Sequence, residues 1–176
     1  MDEQSRKFLI EASYEWIDTL SKEERLAIFD YTILGYEDVN EYLRGNLNGD
    51  IILEQKIHLI SSAIRKFKYD KEVVAYRGVS ESEFLSILSK SSFNTFYEFK
   101  STSLSEMVAR DFSIEGYIVM IHAPKGTRGA YIELNSEIPD EYEYLLDKET
   151  HYIIKDIVQE TNHQTLIKLE VIPDGK

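Results

Sequence analysis

Helical and strand-like hydrophobic patterns occupy separate stretches of this chain, and that segregation limits its fold more than any other feature. In the first 70 residues, Phe8, Ala12, Trp16 and Leu20 recur at every fourth position, one stripe of an amphipathic helix. Ser21 and Glu24 have the spacing of a capping box, so a second helix is expected to begin there and to end at Gly35. "EDVNEYLRGNLNGD" predicts a short helix closed by Gly45, and "IILEQKIHLISSAIRKF" a longer one. From there on, "VVAYRGV", "FYEFKSTS", "YIVMIHA", "GAYIEL", "EYEYLL", "HYIIKDIV" and "TLIKLEVI" are rich in aromatic and β-branched residues, as strands are. Capping boxes at Ser80 with Glu83, and at Ser103 with Glu106, predict two short helices between them. Helices first and strands afterwards predict an α+β domain with an antiparallel or mixed sheet. A single domain over 1–176 is expected, helical to about 70 and β-rich beyond.

Charge and missing residue types exclude several kinds of function. A formal charge of −12 over 176 residues, with no basic stripe, disfavours nucleic acid as a partner. The absence of cysteine removes disulfides, thiolate catalysis and thiolate-bound zinc. The four histidines, His58, His122, His151 and His163, lack the spacing of a zinc site, so no metal is expected. There is no Gly-x-Gly-x-x-Gly or Walker-type loop. With no apolar run near 20 residues and no secretory pattern at the start, a soluble monomer without signal peptide or membrane partner is expected.

Three fragments carry candidate chemistry, and each has a plain structural alternative. Arg77 in "VAYRGV" lies among alternating apolar residues, so it needs an anion, either a ligand or an internal ion-pair partner. "STS", Ser101 to Ser103, would also suit a strand end and a helix cap. Glu141 and Glu143 are predicted to share a strand face about 6 to 7 Å apart. At an effective dielectric near 20 they would repel by roughly 2 to 3 kcal/mol, unless the face is merely solvated.

Taken in order, the aromatic-Arg, Ser-Thr-Ser and Glu-x-Glu fragments resemble the arginine-class ADP-ribosyltransferases. The likeness is greatest to bacterial ADP-ribosylating exoenzymes, including the enzymatic components of binary actin-modifying toxins. "YTILGYEDVNEYLRG", "FKSTSLSEMVARDF", "APKGTRGAYIEL" and "EYEYLLDKETHYIIKDI" extend it over roughly residues 10 to 172, the last as a catalytic strand with its hairpin partner. The resemblance implies N-terminal helices packed on a mostly antiparallel, two-sheet β core, with NAD as substrate, no metal, and a target protein bearing the acceptor arginine. It also implies secretion, or delivery into a target cell by a route the sequence does not display. Glu143 would bind the ribose and steady an oxocarbenium ion, with Ser101 holding its carboxylate. Glu141 would orient the incoming guanidinium and take its proton. Arg77 with Gly78, Arg44 with Asn40, and Thr102 with Ser103 would form the NAD-binding set.

The chain also departs from the pattern. The segment "NSEIPD" before Glu141 is short and carries no aromatic residue to present to a target. Met120 stands where some relatives have a basic NAD contact, leaving Arg110 or Arg128 to compensate. Two other functions remain open beside the transferase: an NAD glycohydrolase using water, and a non-catalytic binding module on the same fold. A retaining glycosidase fits less well, because its two carboxylates normally come from separate strands or loops.

Overall fold

The computed structural model describes residues 3–89, 94–161 and 164–173; His163 lies outside them. Four helices come first: α1 (Glu3–Thr19), α2 (Lys22–Asp30), α3 (Tyr36–Leu43) and α4 (Ile51–Lys66). Eight strands follow: β1 (Val73–Val79), β2 (Asn94–Phe96), β3 (Lys100–Ser103), β4 (Tyr117–Ala123), β5 (Gly129–Tyr131), β6 (Glu143–Leu146), β7 (Thr150–Thr161) and β8 (Gln164–Val171). Short helices α5 (Glu81–Leu88) and α6 (Glu106–Asp111) interrupt them. This is the expected α+β order.

Some helix details differ from the sequence reading. The buried stripe of α1 is Leu9, Ser13 and Trp16, continued by Leu20 just past its end, while Phe8 is 37% exposed. A strict fourfold repeat drifts around a helix of 3.6 residues per turn, so its first member rotates out of the core. Trp16 Nε1 donates to Ala63 O at 2.7 Å and Ser13 Oγ to Tyr131 O at 2.8 Å, fixing α1 to α4 and to β5. The capping box at Ser21 and Glu24 forms in both directions. Gly35 does not end a helix, because Tyr31–Gly35 form a π-helical turn that runs on into α3. Its missing side chain instead admits Lys56 Nζ and Asp30 O, which would lie within 3 Å of a Cβ there. Gly45, at φ +81°, closes α3 as expected.

The sheet runs β2-β7-β8-β4-β1-β3-β6-β5, antiparallel throughout except for β4 beside β8. The expectation of two sheets is therefore corrected to one continuous eight-stranded ladder. Its narrowest seam lies between β1 and β3, joined through the single register pair Tyr76↔Ser103. Two corrections follow from this layout. "FYEFKSTS" divides into parts of β2 and β3, which sit far apart in the sheet. β6 and β7 are consecutive but not paired, since β6 lies between β3 and β5 and β7 between β2 and β8. The turn between them holds a fully buried Asp147 and a left-handed Glu149, φ 58°, which send the chain across to the other flank.

Candidate active site

The β1–β3 seam opens onto a cavity of about 620 Å³, within the range of small-molecule sites. Asn40, Arg44, Arg77, Gly78, Ser101, Thr102, Ser103, Glu141 and Glu143 all line it, together with Tyr31, Tyr36 and Lys100. Residues from α3, β1, β3 and the start of β6 thus converge there, although Asn40 and Glu143 lie more than a hundred positions apart in sequence.

Each hydroxyl of Ser101–Ser103 has its own partner. Ser101 Oγ donates to Glu143 Oε1, Thr102 Oγ1 to the carbonyl of Tyr144, and Ser103 Oγ to the carbonyl of Glu141 at 2.7 Å. One hydroxyl orients a carboxylate, the second ties β3 to β6, and the third fixes the backbone that carries Glu141. The cap expected of Ser103 falls to Ser105, whose side chain accepts from Val108 N, while Ser103 Oγ accepts from Ser105 N. At α5 the cap forms at Ser80, but Glu83 turns away from it toward Arg77.

Glu143 is only 5% exposed. Burial pushes its carboxyl up to about 7; the hydrogen bond from Ser101 opposes that rise, nearby Glu141 adds to it and Arg77 opposes it. Glu141 is not on the strand. It ends a 3₁₀ turn, Pro139–Glu141, and Tyr142 then takes a left-handed conformation, φ 51°, before β6 begins. Strand alternation does not align the two carboxylates; the left-handed residue does, and such a conformation is uncommon for a bulky side chain. Burial also raises Glu141, though it is less enclosed. Tyr142 is braced from outside by the Arg6 guanidinium, 4.5 Å from its ring centre.

Arg77 has found the anion its position demanded, and it is an internal one. Its Nε and Nη2 donate to Glu83 at 3.2 and 3.3 Å, and its Nη1 to Ser101 O at 3.0 Å. The ion-pair reading of Arg77 is thus met without displacing it from the cavity wall. Arg44 pairs with Glu41 at 2.7 Å and with Glu98 at 3.5 Å. Asn40 Nδ2 donates to the buried Tyr31 hydroxyl at 3.1 Å, while its Oδ1 is buried without a partner.

Gly78 has a packing reason to be glycine. A Cβ there would lie 2.3 Å from Ala109 O and 2.8 Å from Ser113 N, backbone atoms at the end of α6. Gly78→Ala is expected to destabilise the fold by about 1 to 3 kcal/mol, read as a lower midpoint in denaturant. An unchanged midpoint would contradict the close packing of α6 on β1.

The residues proposed to replace a missing basic contact do not reach the site. Arg110 pairs with Glu106 and Glu160, and Arg128 lies beside Asp147 on a different cavity. Lys100, Glu83 and Glu98 went unrecognised in the sequence. Their one signal was the unpaired Arg77, which required an acid nearby in space without saying which. Among the described residues no three histidines or acids gather as metal ligands, and no helix is long and apolar enough to cross a membrane.

Comparison with known proteins agrees with this layout. Residues 6–172 match the family described as ADP-ribosyltransferase exoenzyme. The chain is 37% identical over 152 residues, 81% of its length, to the NAD(+)–arginine ADP-ribosyltransferase EFV of Enterococcus faecalis, and spans 31% of that relative. It superposes with a TM-score of 0.80 on Plx2a, an ADP-ribosyltransferase toxin of Paenibacillus larvae, covering 97% of this chain and 96% of that one at 24% identity. Against the enzymatic component C2-I of the Clostridium botulinum C2 toxin the TM-score is 0.77 and the identity 26%, over 93% of this chain and 47% of the other. With nearly its whole length inside the family match and the same fold in the toxins, the chain belongs to the ADP-ribosyltransferase exoenzyme family.

Proposed function

We propose that this chain is a mono-ADP-ribosyltransferase that moves ADP-ribose from NAD to an arginine side chain of a protein, releasing nicotinamide. The observation that carries the reading is the enclosed Glu143, held by Ser101 and flanked by Arg77, with Glu141 on the same cavity. The arginine specificity of the 37%-identical relative supports the choice of acceptor.

In this reading the bond between the ribose C1′ and the nicotinamide nitrogen breaks, and its electron pair leaves with nicotinamide. Positive charge then builds on C1′ and the ring oxygen. An ionised Glu143 beside the ribose stabilises that charge from a buried position, where electrostatic interactions are stronger than in water. Arg77 and Arg44 meet the diphosphate, for which a planar guanidinium is well shaped. A guanidinium nitrogen of the target attacks C1′ and passes its proton to Glu141. Because free guanidinium has a pKa above 12, that proton leaves during attack rather than before it.

Acid chemistry supplies a test. Because Glu143 titrates near 7 in the free protein, and its charged form is the one that acts, kcat/KM for NAD cleavage is expected to rise about tenfold per pH unit below 7 and to level off above it. The groups facing it are Ser101, Arg77, Glu141 and Tyr31. Labelled NAD incubated with candidate proteins, followed by mass spectrometry of the modified residue, tests the transfer itself. Label found on arginine supports the reading. Free ADP-ribose formed at a rate that no protein or guanidine compound alters would make the chain an NAD glycohydrolase, and no NAD binding would make it a binding module.

A further inference from the structure

The two arginines of the cavity wall are connected through a third cation. Lys100, whose side chain is 4% exposed, donates from Nζ to Glu83 Oε1 at 2.9 Å and to Glu98 Oε1 at 2.6 Å. Glu83 is the carboxylate that grips Arg77 through both oxygens, and Glu98 is the one beside Arg44. The Phe96 ring, 4.9 Å from Nζ, closes the remaining side of the ammonium. The result is an alternating row, Arg77, Glu83, Lys100, Glu98, Arg44, running from β1 through α5 and β3 to the end of α3. Arg77 commits three of its five N–H groups to Glu83 and Ser101, which leaves two directed elsewhere.

Taking a lysine this far out of water is costly unless both partners stay charged. They do: burial alone would raise Glu83, but Arg77 and Lys100 hold it down to about 2, and Lys100 likewise lowers Glu98 against its burial. A buried ammonium has three donors to place. This one is shared between two acids, each of which engages a different arginine of the same cavity.

We propose that Lys100 is a positioning residue for diphosphate binding, its ammonium clamping Glu83 and Glu98 so that Arg77 and Arg44 present their free N–H groups to a single dinucleotide. This rests on the reading that the cavity takes NAD. Without Lys100, Glu83 and Glu98 become under-compensated carboxylates on the wall that must receive two phosphates. Their repulsion then acts on the ligand, and the two guanidiniums are drawn away from it to neutralise them.

The test uses the full chain, with NAD cleavage for kinetics and ADP-ribose as the calorimetric probe. Lys100→Met is expected to raise KM for NAD about tenfold or more and to weaken ADP-ribose binding by the same factor, equivalent to about 1.4 kcal/mol. The kcat should stay within about threefold, since the ammonium is held by Glu83 and Glu98 rather than by Glu143 or Glu141. Lys100→Met/Glu98→Gln should recover part of the affinity, because it removes one stranded carboxylate while Arg44 keeps its 2.7 Å partner Glu41. A lysine that only packs the core would not be rescued by deleting an acid. If Lys100→Met fails to fold, Glu83→Gln carries the test, and the same rise in KM is expected from a loosened Arg77. Unchanged affinity in Lys100→Met, or in Glu83→Gln where that variant stands in, overturns the inference and leaves the transferase reading intact, as does a double variant as weak as the single one. Wild-type protein that binds ADP-ribose but never cleaves NAD does the reverse, and wild-type protein that binds neither overturns both.

Discussion

Glu143→Gln is expected to lower both NAD cleavage and ADP-ribose transfer about a thousandfold, the scale of losing one well-placed electrostatic contact in a transition state. Glutamine keeps the shape of the side chain and can still accept from Ser101, so only the charge is removed. The same substitution should make the protein more stable in alkali. Burial raises the folded-state value from 4.5 to about 7, so the stability that comes from a neutral Glu143 is full below pH 4.5 and is lost as pH rises through 7. At pH 8 the ionised wild-type group therefore carries a cost of about 3 kcal/mol that glutamine does not. Thermal melts should coincide at pH 4.5 and separate by several degrees at pH 8, with the variant higher. A Glu143→Gln protein that still cleaves NAD at a tenth of the wild-type rate, or that melts lower at pH 8, would refute this role and this burial.

Glu141→Gln is expected to divide the two activities. Transfer to arginine should fall about a hundredfold or more, the scale of losing a general base, while slow cleavage of NAD with water persists. The structural reason is that Glu141 and Glu143 are held by different devices. Glu143 is set by Ser101 within β3–β6 pairing, whereas Glu141 is set through its backbone carbonyl by Ser103, in a turn outside the strand. Changing the Glu141 side chain leaves both anchors in place. Measuring nicotinamide release with and without a guanidine acceptor separates the outcomes, and equal loss of both activities would refute the division of labour.

Arg77 was legible as a charge among alternating apolar residues, where burial demands a partner, whereas Ser101 and Glu143 were legible through the order of the three fragments that resembles the family. The helix starts at Ser21 and Ser80 and the stop at Gly45 were legible too, since caps depend on neighbours in sequence. Gly35 misled for the opposite reason. A glycine can mark a helix end or a close approach, and the lysine that approaches it, Lys56, comes from another helix. The split of "FYEFKSTS" and the parting of β6 from β7 were illegible because pairing is a long-range choice. Period-two patterns say that a segment is a strand, not beside which strand it lies.

By itself the sequence determined the α+β class, the main helix starts and the absence of cysteine chemistry, because composition, capping and alternation act within a few residues, and its motif order pointed to the candidate site by resemblance. Tertiary structure alone decided three things: that Glu141 reaches the cavity from a turn through a left-handed Tyr142, that one sheet replaces two, and that Lys100 joins the acids behind both arginines. Each depends on groups distant in the chain being brought within a few ångströms. Buried charges interact strongly at that range, and no local pattern records which of them will meet.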